Sequence, residues 1–158
     1  MHLHKYEKIW MTFGIAALVV FLSIVGVSAF SHEQHTPAGG IETIDPEKVK
    51  ETAPFNEPGV KQLDEDTYQA TIVAMAFAYE APELKVPVGK EVIFKLTSTD
   101  VVHSFTIDNT NVNMMVVPGQ VTTKSYTFKE PGKYLILCNE YCGTGHHYMF
   151  AEIEVTEE

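Results

Sequence analysis

Residues 138–149, with the sequence CNEYCGTGHHYM, carry several side chains that bind soft metal ions. They include both cysteines of the chain, two histidines and one methionine. Thiolate and thioether sulfur atoms favour copper, and imidazole nitrogen also suits it, whereas calcium and magnesium require mainly oxygen ligands. The segment therefore predicts a copper site close to the C-terminus.

The second cysteine indicates more than one copper ion. A mononuclear electron-transfer site uses one cysteine, two histidines and a weakly bound methionine, so Cys138 and Cys142 together provide one thiolate more than it needs. Two copper ions can share both sulfur atoms as bridging ligands, which would hold the metals close enough for one electron to delocalise over them. Such a pair changes its geometry little on reduction, and this favours electron transfer over bond-making chemistry.

Each of two copper ions needs its own imidazole, and the C-terminal segment offers one well-spaced candidate, His146. His103, in the stretch STDVVHSF, is the only histidine between His35 and His146. A single histidine in a strand is more often structural, but the demand for a second imidazole favours His103 as a ligand. His147 directly follows His146 and should point elsewhere, so we expect it at the surface or behind the ligands.

Three simpler interpretations stay open at this stage. Cys138 and Cys142 could form a disulfide, although the three residues between them close too short a loop for much stabilisation. Zinc could bind the two cysteines and two histidines as a four-coordinate structural site, which would leave Met149 without a role. Met149 could also be an ordinary core residue, as an isolated methionine usually is.

A hydrophobic segment near the N-terminus predicts a membrane anchor. Residues 9–30 contain no charged side chain over 22 positions, enough for a helix to cross a hydrocarbon layer of about 30 Å. A cleaved signal peptide is the alternative, with Val27-Ser28-Ala29 as its cleavage site, but the apolar region of a signal is usually only about 7–15 residues long. Trp10 also lies where an interfacial anchor belongs, and this favours a retained helix.

Charge predicts the orientation of the helix and restricts the partners. Lys5 and Lys8 precede the helix, so the positive-inside rule places the N-terminus in the cytoplasm and the rest of the chain outside the cell membrane. Beyond residue 30 there are 9 lysines and 20 acidic residues, and the whole chain has a formal net charge of −10. This excess of acid argues against nucleic acid as a partner and favours either a solvated surface or a basic partner.

The sequence of the outer part of the chain predicts a mostly β domain. Residues 31–66 are rich in proline, glycine and acids, which is typical of a linker, and residues 67–158 contain short β-branched and aromatic runs separated by Pro-Gly and Val-Gly turns. We predict an antiparallel sandwich on these strands. Their expected ranges are 68–77, 83–88, 91–98, 101–107, 121–128, 133–138 and 150–155. The chain thus divides into a cytoplasmic N-terminus (1–8), an anchor helix (9–30), a linker (31–66) and a metal-binding domain (67–158).

The pattern Cys138-x-Glu140-x-Cys142-Gly143-x-x-His146-x-x-Met149 resembles, at every position, the dinuclear CuA motif of subunit II of haem-copper cytochrome c oxidases. The upstream stretches DVVHSF and VVPGQ are similar to that family's first-histidine strand and the turn after it. A single anchor helix resembles the bacterial ba-type, or B-family, branch. The resemblance implies a cupredoxin-like Greek-key β-sandwich on a single N-terminal transmembrane helix.

The resemblance also implies a set of metal ligands. Cys138 and Cys142 would bridge two copper ions. His103 and Met149 would complete one ion, and His146 with the backbone carbonyl of Glu140 would complete the other. The carboxylate of Glu140 is either a ligand of a magnesium ion at the subunit boundary, as in some relatives, or an ordinary loop acid exposed to solvent.

By the same resemblance, the chain is the electron-entry subunit of a respiratory oxidase. The CuA centre would accept single electrons from cytochrome c and pass them to haem in subunit I, where oxygen is reduced, while lipid surrounds the anchor. One departure affects electron entry: the family's tryptophan-rich segment is replaced by AMAFAYE, so Phe77 and Tyr79 are the remaining aromatic residues. The alternatives are a membrane-tethered cupredoxin that shuttles electrons and a copper- or zinc-binding module.

Overall fold

The computed structural model describes residues 4–32 and 42–157. The chain forms two compact units, residues 1–40 and residues 41–158. The described part of the first unit is one α-helix, α1 (Lys5–His32), which contains the predicted anchor. By length and composition this helix could cross a membrane. Residues 33–41, which belong to the predicted linker (31–66), lie outside the described residues.

Two hydroxyl groups in the apolar stretch of α1 bond to the backbone of the same helix, an arrangement that suits a hydrocarbon environment. The hydroxyl of Thr12 donates to the carbonyl of Lys8, and the hydroxyl of Ser23 donates to the carbonyl of Val19, both at 2.8 Å. These polar side chains in the apolar stretch therefore return their hydrogen bonds to the helix backbone, and the apolar side chains remain exposed around the helix.

The second unit is a sandwich of two β-sheets. The six-stranded sheet has the order β1-β9-β6-β3-β2, with β4 paired to β3, and the five-stranded sheet has the order β5-β11-β10-β7-β8. The strands are β1 (Glu42–Thr43), β2 (Gly59–Gln62), β3 (Thr67–Met75), β4 (Ala78–Glu80), β5 (Lys85–Pro87), β6 (Glu91–Ser98), β7 (His103–Ile107), β8 (Asn113–Val116), β9 (Gln120–Thr127), β10 (Gly132–Leu137) and β11 (Phe150–Thr156). Two short 3-10 helices, Pro46–Glu51 and His146–Tyr148, complete the unit.

The sandwich is not purely antiparallel, and the prediction on this point was wrong. Strand β3 pairs with β6, and β5 pairs with β11, in parallel. Between β3 and β6 the chain crosses to the other sheet, where it forms β5, and then returns, which is the crossover that a parallel pair requires. Alternation of apolar and polar residues reports which face of a strand is buried, but it carries no information about the direction of the neighbouring strand.

Much of the predicted linker belongs to the sandwich, so the domain begins earlier than the predicted residue 67. Strand β1 pairs with β9 and β2 pairs with β3. Val49 and Phe55, both buried, pack with Val73 in a small second core. The side chain of Asp45 accepts a hydrogen bond from the backbone N–H of Glu47 at 3.1 Å and so caps the first 3-10 helix. Strand β8, which pairs with β7, was also not predicted.

The main core lies between the two sheets and reaches the metal-binding residues. Phe105 contacts Phe94 and Tyr79, with ring centroids 5.5 Å and 5.6 Å apart. Cys138, Cys142 and Met149 belong to the same buried cluster as these phenylalanines. The predicted alternation in the last strand is confirmed, since Ile153 and Val155 are buried. The candidate site is therefore built on the end of the hydrophobic core.

Candidate metal site

Two neighbouring strands bring distant parts of the sequence together. His103 is the first residue of β7, and Cys138 directly follows β10. These strands are paired antiparallel, with Leu137 opposite Thr106. The start of β7 and the end of β10 therefore lie at the same end of the sheet. Residues 138–149, called the ligand loop below, connect β10 to β11. The pairing of β7 with β10 therefore places His103 beside the loop that carries the other candidate ligands.

His103, Cys138 and Cys142 form a compact group. One ligand atom from each of the three lies within 4.8 Å of the other two. The Nδ1 atom of His103 is 4.0 Å from the Sγ atom of Cys138. His103 is fully buried, and each cysteine is only 7% exposed. The two sulfur atoms and one imidazole nitrogen are therefore positioned to share metal ions away from water.

The remaining predicted ligands lie around the same two cysteines. The Sγ atom of Cys142 is 3.5 Å from the Nδ1 atom of His146 and 3.6 Å from the Sδ atom of Met149. The backbone carbonyl oxygen of Glu140 is 3.3 Å from the Sγ atom of Cys138. The structure thus places all six predicted site residues in one continuous set of contacts, with His103 and Glu140 beside Cys138, and with His146 and Met149 beside Cys142.

This set of donor atoms fits copper better than the simpler alternatives. The two cysteines are not joined by a disulfide. Met149 is 2% exposed, and its sulfur contacts the sulfur of Cys142, a contact that a zinc site of two cysteines and two histidines leaves unexplained. Soft sulfur donors with imidazole are the ligands that copper selects. His147, in contrast, is exposed, as the sequence predicted, and its ring lies against that of Tyr148, with centroids 3.8 Å apart and the ring planes tilted by 45°.

Asp100 orients the ring of His103. One carboxylate oxygen lies 2.8 Å from the Nε2 atom of His103, so a proton on Nε2 is donated to Asp100 and Nδ1 is left free to bind a metal. The same carboxylate accepts hydrogen bonds from the backbone N–H groups of Val101 and Ala76. Partial burial acts to raise the pKa of Asp100, but the hydrogen bonds it accepts, first of all from His103, outweigh burial and hold that pKa below its ordinary value.

The ligand loop is fastened to the sheet at both ends. The backbone N–H of Cys138 donates to the carbonyl of Met149 at 3.4 Å, which closes the loop. The backbone N–H of Asn139 donates to the hydroxyl of Ser104, and its side-chain amide donates to the hydroxyl of Thr106 at 3.0 Å. Residues next to His103 on β7 therefore also hold the start of the ligand loop.

The thiol of Cys142 is in an environment that disfavours a free thiolate. Burial, followed by the charge of neighbouring Cys138, raises the pKa of Cys142. A bound cation reverses this preference, because metal-bound cysteines are deprotonated, so metal binding at this site would release protons.

Tyr79, one of the two aromatic residues that remain in the stretch AMAFAYE, packs behind the site. It is half-buried, its ring packs edge-on against Phe105, and its hydroxyl donates to the backbone carbonyl of Ser104. Burial, then the neighbouring charge of Cys138, raises the pKa of this hydroxyl, so it stays protonated. Tyr79 thus supports the strand that carries His103.

Asp100 was missed in the sequence as a functional residue, although it lies only three positions before His103. We expect Asp100→Asn to lower the affinity for copper by about 10–100-fold, because the substitution exchanges one acceptor oxygen for an NH₂ group and cannot hold both His103 and Ala76. Competition with a copper chelator measures the affinity of the variant for copper. Asp108→Asn, an equal charge change at an exposed position, is the control. Equal affinities in the two variants would remove Asp100 from the site.

Comparisons with known proteins show what this chain is similar to. Residues 64–156 match the family described as cytochrome C oxidase subunit II, periplasmic domain. The chain is similar to a cytochrome c oxidase subunit 2 of Thermus thermophilus, with 43% identity over 155 residues that cover 96% of this chain and 92% of the relative. It also resembles the alternative cytochrome c oxidase subunit 2 of Bradyrhizobium diazoefficiens, with 32% identity over 70% of this chain and 38% of the relative.

Solved structures show the same likeness. A chain in the cryo-EM structure of a heme-copper terminal oxidase dimer superposes with a TM-score of 0.71 and 32% identity, covering 96% of this chain and 100% of that chain. The periplasmic domain of subunit II of cytochrome oxidase from Bradyrhizobium japonicum shares the fold, with a TM-score of 0.50 and 19% identity over 65% of this chain and 86% of that chain. The sandwich is therefore cupredoxin-like.

Proposed function

This chain belongs to the cytochrome c oxidase subunit II family, and from that premise we propose that it is the electron-entry subunit of a respiratory terminal oxidase. In this role it would accept single electrons from cytochrome c and pass them to haem in subunit I, where oxygen is reduced. The observation that carries the proposal is the meeting of His103, from β7, with both cysteines of the ligand loop.

The proposed cofactor is a pair of copper ions. Cys138 and Cys142 would bridge them, His103 and Met149 would bind one ion, and His146 with the carbonyl of Glu140 would bind the other. When bound, the pair supplies a carrier that holds one electron at a time. The protein's contribution is to exclude water by burying the sulfur ligands and to fix the His103 ring through Asp100.

Metal analysis of the full chain in detergent tests this assignment. We expect two copper ions per chain, with the unpaired electron of the oxidised centre shared by two copper nuclei in its electron paramagnetic resonance spectrum. One copper per chain with its spin on a single nucleus, or zinc in place of copper, would rule the proposal out. Metal analysis of the purified complex with subunit I, compared with the chain alone, tests a magnesium ion at Glu140, since an ion at the subunit boundary should be present only in the complex.

Isolation from membranes separates the oxidase subunit from a tethered electron shuttle. A subunit of a terminal oxidase should co-purify with haem and with a larger apolar subunit when the membrane is dissolved in mild detergent. A shuttle should purify alone with its copper. Recovery of the chain without haem, from membranes that retain oxidase activity elsewhere, would favour the shuttle.

We propose that α1 stays in the cell membrane as a single anchor, with the N-terminus in the cytoplasm and the β-sandwich on the outer face. Lys5 and Lys8 support this orientation. A protease added to intact cells should digest the sandwich while a tag before Lys5 survives. A mature protein that begins near residue 30 would instead establish a cleaved signal peptide.

The net negative charge beyond residue 30 predicts that electrostatic attraction speeds the encounter with a basic electron donor. With 9 lysines against 20 acids beyond residue 30, a basic cytochrome c should be attracted, and such attraction acts mainly on the rate of encounter. Between 0.01 M and 0.1 M salt the screening length falls from about 30 Å to about 10 Å, so stopped-flow reduction of copper by this donor should become slower.

An apolar contact is the alternative for the donor. Tyr141 and Tyr148 are well exposed on the ligand loop, and the ring of Tyr141 lies 5.9 Å from that of His146. If reduction keeps the same rate across the salt range, this aromatic surface rather than the acidic charge guides the donor.

A further inference from the structure

The turn between β3 and β4 contains a residue in an unusual backbone conformation. Phe77 has a φ of 70°, in the left-handed region, and occupies the second of the two turn residues between Met75 and Ala78. This position normally belongs to glycine or asparagine, because a side chain with a Cβ atom is strained there. A bulky residue held in this conformation often marks a place where the side chain or backbone has a specific task.

The ring of Phe77 lies directly on the ligand loop. A Cβ atom added to Gly145 would be 2.7 Å from this ring, and one added to Gly143 would be 3.1 Å from it. Gly143, with a φ of 132°, needs to be glycine for its backbone alone. Gly145 has a φ of −93°, which any residue can adopt, so the contact with Phe77 is what requires glycine there.

The same turn also touches both halves of the ligand set. The ring of Phe77 contacts Gly143 and Gly145 of the loop that carries the cysteines. The backbone N–H of the preceding residue, Ala76, donates to Asp100, whose other oxygen accepts from the ring of His103. This turn, residues 76–77, therefore contacts both the loop that carries the cysteines and Asp100, which orients His103.

The side chain of Phe77 is 37% exposed and is not among the described residues of the main core. Its ring therefore contributes little to the packing of the two sheets, and its contact surface is the ligand loop. On the proposed function, in which this loop holds copper, we infer that Phe77 is a positioning residue. Its left-handed backbone aims the ring at Gly143 and Gly145 and keeps the loop closed over Cys138 and Cys142 before metal arrives.

The full chain without metal, in detergent, tests this inference through the reactivity of its cysteines. Both thiols are buried, so a thiol reagent such as 5,5′-dithiobis(2-nitrobenzoate) reacts only when the loop opens, and its rate reports the opened fraction. We expect Phe77→Gly to raise the labelling rate at least about tenfold while the thermal midpoint stays the same or rises, since glycine relieves the backbone strain. Leu135→Ala, which truncates an apolar residue of equal exposure (38%) outside the loop, should leave labelling unchanged.

Gly145→Ala gives a second, independent measurement. In the chain with Phe77, the added methyl group collides with the ring and should speed labelling. In the chain with Phe77→Gly, the same substitution should add nothing, because the colliding ring is gone, and this lack of additivity identifies the contact. Additive effects of the two substitutions, or unchanged labelling in Phe77→Gly, would overturn the inference.

Phe77→Ala distinguishes the ring from the backbone and does not depend on the folding of Gly145→Ala. Alanine keeps the left-handed strain but removes the ring, so the cysteines of Phe77→Ala should be labelled as fast as those of Phe77→Gly. Fast labelling in the alanine variant alone would mean that backbone strain, not the ring, controls opening of the loop. That result would overturn the inference. These rates require no copper, so a chain that binds one copper or zinc would contradict the proposed function without changing the labelling result.

On loading with copper, Phe77→Gly and Phe77→Ala should show visible absorption bands that are broadened relative to the parent chain, because the loop samples several arrangements. Equal bands in all three chains, together with equal labelling, would remove the positioning role.

Discussion

On the proposed function, replacing Cys142 by serine is expected to prevent a dinuclear copper centre from forming, whereas replacing Met149 by leucine should leave two copper ions bound with an altered reduction potential. Cys142 contacts both His146 and Met149 through its sulfur and is one of the two proposed bridges. A serine hydroxyl is a hard and poorly ionised donor, so it cannot replace a bridging thiolate. Met149 supplies only a weak thioether ligand, and its loss should disturb the centre without dismantling it.

Copper content, the electron paramagnetic resonance spectrum and the midpoint potential of the two variants check this ranking. Cys142→Ser should hold at most one copper per chain, with its spin on one nucleus. Met149→Leu should keep the shared spin at a shifted potential. His147→Leu, a change at the neighbouring exposed histidine, serves as the control and should resemble the parent chain. Equal loss of copper from the cysteine and methionine variants would show that their proposed roles are wrong.

Phe105→Ala is expected to cause the largest loss of stability, about 3–5 kcal/mol in the free energy of unfolding. Phe105 is completely buried and packs against Phe94 and Tyr79 between the two sheets. It also lies on β7, two residues after His103. The cavity left by the substitution would therefore loosen the strand that carries His103. Denaturant unfolding of the metal-free chain, followed by fluorescence or circular dichroism, measures the loss.

Met115→Ala is a matched control on the adjacent strand. Met115 pairs with Ser104 of β7 but is 56% exposed, so its truncation should change the free energy of unfolding by no more than about 0.5 kcal/mol. Similar losses in the two variants would mean that the core does not lie between the sheets as described. Copper should stabilise both chains, because it binds the folded state.

The sequence was most informative where the chemistry is local. Both cysteines, His146 and Met149 lie within twelve positions, so their spacing alone brought them together as candidates. His103 was proposed because a second imidazole was required and because the stretch DVVHSF resembles the family's first-histidine strand. Nothing in its immediate sequence reveals that β7 and β10 are neighbours. The anchor helix was equally accessible, because a long run without charge needs no information about the rest of the fold.

Features that depend on distant pairing were not accessible in this way. The short strand β1 is polar and exposed, and β2 has no alternation of buried and exposed residues, so only their pairing with β9 and β3 makes them strands. Asp100 shows no distinguishing pattern in the sequence, and its role becomes visible only when its carboxylate is seen between His103 and Ala76. The left-handed Phe77 is a further example, since the sequence AMAFAYE contains no turn residue to indicate it.

The parallel pairing of β11 with β5 determines when the metal site can be completed during synthesis of the chain. Strand β11 is the last element of the sequence, and its partner is more than sixty residues upstream, so it docks only after the whole domain has been made. Contacts of such long separation form slowly. The ligand loop is closed through Met149, directly before β11, and until that strand docks both thiols lack their cover. A newly made chain therefore passes through a stage in which its cysteines are open to oxidants and, on the proposed function, to a carrier that delivers copper.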